Sequence, residues 1–205
     1  MLARIAASQG VRDPRLLAAI RAVARVGFVP RQFAELAELD EPVPIGHHQV
    51  TTQPSLVAAM IEALELQGDE VVLEVGTGFG YQTALLARVA AHVWSIERFA
   101  DLADAARANL GAAGITNADV VVGDGSAGLA EHAPYDAVVV SAAFPTVPQP
   151  LADQLVVGGR LVQPMGPGGS EEVVVFGKEP SGLRRVRTVT YARFVRLVGR
   201  HGYVE

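Results

Sequence analysis

The residues best suited to chemistry lie where two predicted strands end. The segment VVLEVGTGFGYQTALL runs from a β-branched stretch into Gly76, Gly78 and Gly80, with Glu74 just before them. The next predicted strand, HVWSIE, ends on Glu97. Glycine lets the backbone approach a ligand closely and adopt positive φ. A carboxylate at the end of the second strand can accept hydrogen bonds from both hydroxyls of a ribose, so the pattern indicates an adenosine-containing cofactor.

The spacing of the glycines narrows the choice of cofactor. The dinucleotide fingerprint is G-x-G-x-x-G and faces a pyrophosphate, whereas the glycines here are spaced G-x-G-x-G. Glu74 would repel a pyrophosphate but attract an ammonium group. S-adenosylmethionine carries an ammonium and a sulfonium and has no phosphate. No Lys-Ser or Lys-Thr follows the glycines, which excludes a P-loop.

A third acidic position supports the same cofactor. Asp124, in VVGDGSAG, follows another predicted strand. A carboxylate there can meet the adenine amino group, because ligands of open α/β sheets bind at the carboxyl ends of the strands. The alternative, that the glycines only form a tight turn, is less favoured because it leaves Glu74, Glu97 and Asp124 unexplained. The predicted cofactor is therefore S-adenosylmethionine, with S-adenosylhomocysteine as the product.

A second polar segment, PIGHHQVTTQP at residues 44–54, is a candidate for acceptor binding. His47 and His48 are adjacent, so on an extended segment they would point to opposite sides, which is poor geometry for chelating a metal. The chain has no cysteine to add as a ligand, and we predict no metal site. A Ser-His-Asp hydrolase is disfavoured because no G-x-S-x-G nucleophile elbow is present.

The elements that must position these residues alternate between strand and helix. The predicted strands are Val71–Val75, His92–Ile96, Asp119–Val122, Tyr135–Ser141 and Arg160–Gln163, and the predicted helices are Pro14–Arg25, Ser55–Leu66, Tyr81–Ala91 and Asp101–Leu110. Such alternation is typical of a parallel sheet covered by helices. EEVVVFGK and RRVRTVTYARFVRLVG then follow with no helix between them, which predicts a closing antiparallel pair.

Composition sets the limits of this interpretation. The chain of 205 residues has the size of one domain. We predict a Rossmann-like α/β domain over residues 1–205, in which 1–66 form a helical cap on the substrate side and 67–205 the cofactor-binding sheet. The net charge of −5 gives no general attraction to nucleic acid or anionic lipid. The first residues lack the apolar core of a signal peptide, and no apolar run is long enough to span a bilayer, so we expect a cytoplasmic protein.

The C-terminal part nevertheless carries six arginines between Arg184 and Arg200. A basic strand of this kind can bind RNA. We favour a solvent-exposed edge strand whose charge discourages aggregation, because the total charge is negative. The segment SAAFP after the fourth strand also differs from the Asn/Asp-Pro-Pro-Tyr motif that resembles base-amine methyltransferases.

Taken together, these segments resemble one family, the protein-L-isoaspartate O-methyltransferases. FVP at Phe28–Pro30 and PVPIGHHQVTTQP resemble its N-terminal motifs, the latter its LPIGxGQTISQP segment. VLEVGTGFGYQTALLA and VWSIER look like its cofactor motifs. The block from GDGSAGLAEHAPYDAVVV through SAAFPTVPQPLADQLVVGGRLVQPMG is similar to its central region in order and spacing. RFVRLVG resembles its terminal FVPLVG.

The resemblance implies a repair methyltransferase acting on the α-carboxylate of isoaspartyl residues in damaged proteins, and we expect a monomer that binds no nucleic acid. It implies that Thr52 orients the attacking oxygen, with Thr51, Gln53, Ala142, Ala143 and Pro145 around the substrate. It also implies a set of cofactor ligands drawn from the three cofactor motifs: Glu74, Gly76, Thr77, Gly78, Gly80, Tyr81, Glu97, Arg98, Gly123, Asp124 and Gly125.

The chain departs from the family pattern where the substrate should lie. The family usually has glycine at His48, threonine at Val50, isoleucine at Thr51 and serine at Thr52, and a proline in place of Arg196. Two alternatives therefore stay open: a carboxyl or O-methyltransferase specialised for one biosynthetic peptide or small acid, and a cofactor-binding protein that has lost catalysis.

Overall fold

The N-terminal part of the chain is a set of short elements. The computed structural model describes residues 1–204. The first elements are α1 (Leu2–Ser8), α2 (Pro14–Ala22), two 3₁₀ turns (Arg25–Phe28 and Arg31–Leu36), a hairpin of β1 (Pro44–Gly46) and β2 (Gln49–Val50), and α3 (Pro54–Glu62). Helices α2 and α3 both begin with a proline, which is favourable in the first turn because its missing N–H would have no partner there.

The rest of the chain builds a seven-stranded sheet. Its strands are β3 (Val71–Val75), β4 (His92–Glu97), β5 (Ala118–Val122), β6 (Tyr135–Val140), β7 (Leu155–Met165), β8 (Glu171–Glu179) and β9 (Gly182–Ala192). They lie in the order β5-β4-β3-β6-β7-β8-β9. The first five in this order run parallel to one another, β8 runs antiparallel to β7, and β9 runs antiparallel to β8. This arrangement confirms the predicted fold class. The chain order reverses between β3 and β6, where ligands of open α/β sheets bind.

Helices cover both faces of this sheet. They are α4 (Tyr81–Leu86), α5 (Ala100–Ala112) and α6 (Gln149–Asp153). Neighbouring residues of a strand point to opposite faces, and accordingly Val72 belongs to one buried apolar cluster and Leu73 to another. The first cluster also contains Leu16 of α2 and Met60 of α3. The N-terminal elements therefore share a core with one face of the sheet.

Element boundaries differ from the sequence-based prediction in several places. Three predicted helices end early, at Ala22 instead of Arg25, at Glu62 instead of Leu66 and at Leu86 instead of Ala91, whereas the one predicted at Asp101–Leu110 extends over Ala100–Ala112. The strand predicted at Arg160–Gln163 extends over Leu155–Met165. Helix α4 ends because the next two amides, of Arg88 and Val89, bond to carbonyls three residues back. Such bonds tighten the last turn into 3₁₀ geometry and let the chain turn back into β4.

The sequence predicts His47 and His48 on an extended segment, but in the structure they do not lie on one. His47 and His48 form the turn between β1 and β2 with φ of 48° and 56°, the left-handed conformation that two-residue hairpin turns require. The ring of His47 stacks on Phe99 at 4.1 Å, and its Nε2 lies 2.9 Å from Asp101. The His48 side chain makes no hydrogen bond or ring contact within residues 1–204. Across those residues there is also no cluster of His, Asp and Glu that could hold a metal ion.

One further feature of the sheet region matches its sequence-based interpretation. Strand β9 is the edge of the sheet and exposes Arg184, Arg185 and Arg187, as expected for a charged edge strand. Arg184 pairs with Glu179 and Arg185 with Glu172. The longest helix among residues 1–204 has 13 residues, and none of these helices could span a lipid bilayer.

The hairpin turn leads to a stability prediction. Replacing His48 with glycine should raise the free energy of unfolding by about 0.5–1 kcal/mol, because glycine adopts positive φ without the steric cost of a side chain. His47→Gly is the matched variant: it relieves the same strain but removes the Phe99 stack and the Asp101 contact, so it should give no gain. Urea unfolding at pH 7 measures both values, and a loss of stability in His48→Gly would contradict the prediction.

Candidate active site

A cleft opens at the carboxyl ends of β3, β4 and β6, where the strand order reverses. Its volume is about 870 Å³, including the solvent at its mouth. Its walls come from the hairpin, the glycine turn after β3, the end of β4, the residues after β6 and a C-terminal segment. The lining residues that the following paragraphs use are Ile45, Thr51, Thr52, Gly76, Thr77, Gly78, Tyr81, Gln82, Glu97, Arg98, Gly125, Ser141, Ala142, Val195, Arg196, Leu197 and Val198.

The glycine turn forms the floor of the cleft. Gly76, Gly78 and Gly80 have φ of 94°, 56° and 90°, so all three need the conformation that glycine adopts most readily. A β-carbon on Gly78 would lie 3.1 Å from the side chain of Ile45 in the hairpin. The turn is fixed from below, where Thr77 Oγ1 lies 2.5 Å from Ser95 Oγ in β4. Gly80 does not line the cleft and serves as the first residue before α4.

Glu74 lies behind this turn and not in the cleft. Its side chain is fully buried, and Oε2 accepts hydrogen bonds from Thr83 Oγ1 at 2.5 Å and Ser95 Oγ at 2.6 Å. Burial raises the pKa of Glu74 to about 7, although these hydrogen bonds act in the opposite direction. The carboxylate therefore joins β3, β4 and α4. The sequence analysis took it as a direct partner for an ammonium group, but the structure places it one layer deeper.

Glu97 occupies the position predicted for a ribose ligand. It ends β4 and lines the cleft. Its Oε2 accepts a hydrogen bond from the Gly78 amide at 2.9 Å, and its Oε1 accepts one from the Phe99 amide at 3.1 Å. Each carboxylate oxygen has two lone pairs, so both oxygens keep capacity for a ligand hydroxyl. The two amides hold the carboxylate in one orientation.

Asp124 lines a second groove next to the cleft, together with Arg98 and Gly123. Its carboxylate accepts hydrogen bonds from the amide and hydroxyl of Ser126, at 2.9 and 2.6 Å, and from the Arg200 amide at 2.6 Å. Burial alone would raise the pKa of Asp124, but these bonds outweigh it and the pKa is lowered. Asp124 thus anchors the C-terminal segment beside the cleft, whereas the neighbouring Gly125 reaches the cleft wall.

The threonine pair directly follows β2, and its two hydroxyls differ in their hydrogen bonds. Thr51 Oγ1 accepts hydrogen bonds from Arg25 Nη2 at 2.9 Å and from the Val43 amide at 3.0 Å. The hydroxyl of Thr52 makes no hydrogen bond within residues 1–204. Both residues line the cleft. Thr51 is therefore held as a structural group, while Thr52 is left free to meet a ligand.

Arg25 holds the segment around Thr51 in place, and no sequence pattern predicts this role. The residue is 1% exposed. Besides Thr51, its guanidinium donates to four backbone carbonyl oxygens, those of Leu36, Ala37, Leu39 and Glu41. A planar fork with five N–H groups can satisfy several acceptors at once. Arg25 thereby fixes the irregular segment before the hairpin, on which the position of Thr52 depends.

Gln53 is turned away from the cleft. Its Nε2 donates to Asp40 Oδ2 at 2.8 Å. The same carboxylate accepts hydrogen bonds from the Ser55 amide and hydroxyl at 2.8 and 2.7 Å, and it thereby caps α3. The structure thus gives Gln53 a partner in the fold, whereas the sequence analysis expected it near the substrate.

Another wall of the cleft is made by Ser141, Ala142 and a C-terminal segment. Ser141 Oγ accepts a hydrogen bond from Gln82 Nε2 at 3.0 Å, which leaves its own proton free to be donated. Ala143 and Pro145, predicted for this wall, do not line the cleft. Ala143 binds the C-terminal segment with its backbone instead: its amide donates to Val195 O at 2.7 Å, and its carbonyl accepts from Leu197 N at 2.8 Å.

The structure thus brings together most of the predicted site. The predicted residues that line the cleft are Thr51, Thr52, Gly76, Thr77, Gly78, Tyr81, Glu97, Arg98, Gly125 and Ala142. The lining contains no histidine, lysine or cysteine, and so offers no nucleophile paired with a base. Such a cleft suits a reaction in which the reactants only have to be positioned and freed of water.

The open sheet, the glycine turn and the ligand cleft at the switch point define a Rossmann-like methyltransferase fold. A model of the family described as protein-L-isoaspartate(D-aspartate) O-methyltransferase matches residues 1–202. The protein-L-isoaspartate O-methyltransferase of Methanoculleus marisnigri is 49% identical over 198 residues, covering 96% of this chain and 89% of the relative. One from Rhodopseudomonas palustris is 48% identical, covering 100% and 84%. The chain therefore belongs to the protein-L-isoaspartate O-methyltransferase family.

Solved structures agree with this assignment. A protein-L-isoaspartate O-methyltransferase superposes with a TM-score of 0.84 at 28% identity, and the match covers 98% of this chain and 66% of that longer one. A Plasmodium falciparum structure, described as a protein-L-isoaspartate O-methyltransferase in complex with S-adenosyl-L-homocysteine, gives a TM-score of 0.81 at 20% identity, with 96% of each chain covered. The second likeness concerns the fold alone.

The buried carboxylate behind the glycine turn should make stability depend on pH. Its pKa rises from 4.5 to about 7 on folding, so between these values the folded state binds more protons than the unfolded state and stability falls as pH rises. Glu74→Gln cannot ionise and should lose this contribution. The free energy of unfolding of the variant relative to the wild type should therefore increase by roughly 1 kcal/mol per pH unit between pH 5 and 7 and stay level above that. Denaturant unfolding across pH tests this, and parallel curves would contradict it.

Proposed function

We propose that this protein transfers a methyl group from S-adenosylmethionine to the α-carboxylate of L-isoaspartyl residues in damaged proteins and peptides. The observation that carries the proposal is the free hydroxyl of Thr52, which faces the same cleft as the glycine turn and Glu97 in a member of this family. We further propose a monomer that acts in the cytoplasm without a nucleic-acid partner. The paired arginines of β9 and the net charge of −5 support the last point.

The cleft offers partners for each part of the proposed cofactor. Glu97 keeps free acceptor capacity for the ribose hydroxyls, and the apolar side chains of Ile96 and Leu102 stand beside it. The amides and open surface of the glycine turn would hold the methionine part, with Tyr81 and Thr77 adjacent. Gly80 would act from behind this surface, Gly123 and Asp124 from the neighbouring groove, and Glu74 by fixing the turn. When bound, the cofactor supplies a methyl group on a positively charged sulfur.

The acceptor end needs to position a nucleophile that is already active. A carboxylate is ionised at neutral pH, so it needs no general base before it attacks. The chain supplies donors instead: the Thr52 hydroxyl on one side and the Ser141 hydroxyl on the other. Ala142 adjoins Ser141 in its wall, and Ala143 and Pro145 would support that wall from outside the cleft. These residues orient the carboxylate and exclude water, which strengthens its attack on the methyl group.

Two other functions remain as outcomes of the test. We call the glycine turn with Glu97 the cofactor half of the cleft, and Thr52 with Ser141 and Ala142 the acceptor half. A methyltransferase specialised for one biosynthetic peptide or small acid would use the same cofactor half with a different acceptor half. Four of the five residues that depart from the family pattern, Val50, Thr51, Thr52 and Arg196, line the cleft, whereas His48 does not. These four positions are where a different acceptor would be recognised. A cofactor-binding protein without catalysis would keep the cofactor half alone.

A matched pair of peptides tests the proposed function. The protein is incubated with methyl-labelled S-adenosylmethionine and two peptides of identical sequence, one with an isoaspartyl residue and one with a normal aspartyl residue. We expect label on the isoaspartyl peptide only. In an isoaspartyl residue the chain continues through the side-chain carbonyl and leaves the α-carboxylate free, whereas in an aspartyl residue the α-carbonyl is part of the peptide bond. Label on neither peptide, with tight cofactor binding by calorimetry, would contradict the proposal and favour the two alternatives.

The role of Thr52 gives a separate prediction. Thr52→Ala should lower kcat for the isoaspartyl peptide about ten-fold to hundred-fold, the cost of one hydrogen bond to a charged group. Cofactor affinity should stay nearly unchanged, because the cofactor half does not depend on this hydroxyl. Thr52→Ser keeps the hydroxyl and is the matched control, with activity close to the wild type. An unchanged rate in Thr52→Ala would remove this residue from the mechanism.

A further inference from the structure

The C-terminal segment places one arginine at the acceptor end of the cleft. The hydrogen bonds of Ala143 to Val195 and Leu197 fix the backbone of Arg196 beside Ser141 and Ala142, which line the cleft together with Thr52. Arg196 lines the cleft, and its side chain is exposed. The backbone amide of Arg196 takes no part in the hydrogen bonds that hold the segment. The backbone hydrogen bonds of Val195 and Leu197 therefore hold Arg196 in place, although its own amide forms none of them.

The side chain of Arg196 is supported but not neutralised. Its guanidinium lies over the ring of Tyr203, 5.0 Å from the centroid. Tyr203 in turn meets Phe144 edge-on, with ring centroids 5.0 Å apart and an interplanar angle of 88°. Within residues 1–204 Arg196 forms no ion pair and no hydrogen bond. Stacking uses only the flat face of a guanidinium and leaves its N–H edges free for a carboxylate.

The second cation that lines the cleft is Arg98. It lies over the ring of Phe99 at 4.8 Å, next to Glu97 in the chain. Arg196 is the cation whose neighbours, Val195 and Leu197, bond to Ala143 beside the wall of Ser141 and Ala142. A guanidinium bound directly to the reacting carboxylate would stabilise its negative charge and weaken its attack on the methyl group. A free cation at the rim is therefore better suited to a second carboxylate, one that does not react.

We propose that Arg196 binds the carboxylate of an aspartate or glutamate next to the isoaspartyl residue, so that the protein prefers acidic acceptor sequences. This inference rests on the proposed function and names its class of substrate. Arginine pairs with carboxylates in a planar, two-contact geometry. At an exposed rim such a pair contributes little binding energy but selects between partners of opposite charge. The preference should therefore appear in KM and not in kcat.

The test uses isoaspartyl peptides that differ in one position. Glutamate, glutamine or lysine is placed directly after the isoaspartyl residue in one set and directly before it in another. In one of the two sets the wild type should show a kcat/KM about three-fold to five-fold higher for glutamate than for glutamine, and lower still for lysine. The preference should shrink at 0.5 M salt, about the concentration at which exposed charges are strongly screened.

Three variants assign the preference to one residue. Arg196→Gln should bring the glutamate-to-glutamine ratio to about one, with kcat unchanged. Arg196→Lys keeps the charge without the planar fork and should retain part of the preference. Arg187→Gln is the matched control, because it removes an exposed arginine of β9 that does not line the cleft, and it should keep the full ratio. Thermal unfolding of each variant checks that the fold is intact.

Several results would overturn this inference. A ratio that stays at the wild-type value in Arg196→Gln, or a wild-type ratio near one in both sets, would show that Arg196 does not read the neighbouring residue. An equal loss of kcat on every peptide would place Arg196 on the reacting carboxylate instead. Methylation of none of the peptides by the wild type would overturn the proposed function, and this inference with it.

Discussion

The cofactor half of the site depends on one buried carboxylate. Glu74 in β3 accepts hydrogen bonds from Ser95 in β4 and Thr83 in α4, and Ser95 also contacts Thr77 in the glycine turn. A carboxylate without water is costly to bury, and it is retained only where several donors converge on it. The group that is costly for stability therefore fixes two strands, a helix and the turn relative to each other, which holds the cleft floor in one conformation.

The acceptor half is built differently, because it has little regular structure of its own. The chain between α2 and α3 consists of 3₁₀ turns and a short hairpin, whose backbone carbonyls have few partners in a sheet or helix. Arg25 supplies donors to four of these carbonyls and to Thr51, and Asp40 accepts the first free amide of α3. Arg25 and Asp40 thus provide hydrogen bonds that a helix or sheet would otherwise provide for this segment. They hold Thr52 in a position in which its hydroxyl is free.

Local patterns in the sequence predicted the sheet and the glycine turn well, because β-branched runs, glycine spacing and strand-end acids are short-range signals. Three features of the site depend on contacts between distant segments and could not be predicted this way. Arg25 looked like the last residue of a helix, and its five acceptors lie 11 to 26 residues away. The C-terminal wall forms only because Ala143 pairs with Val195 and Leu197. The sequence pattern shows that Glu74 ends a strand next to the glycine turn, but it does not show that the side chain is buried beneath the cleft.

This division explains why departures from the family pattern such as His48 and Arg196 are tolerated. A change at a buried, hydrogen-bonded group such as Glu74 or Thr83 leaves partners unsatisfied, which commonly costs 1–3 kcal/mol, whereas an exposed substitution usually changes stability by less than about 0.5 kcal/mol. His48 and Arg196 are exposed, and Arg196 does not use its own amide to hold its segment. The acceptor rim can therefore change its charge and shape at little cost in stability while the cofactor half stays fixed. A single scaffold can in this way keep its reaction and vary the polypeptides on which it acts.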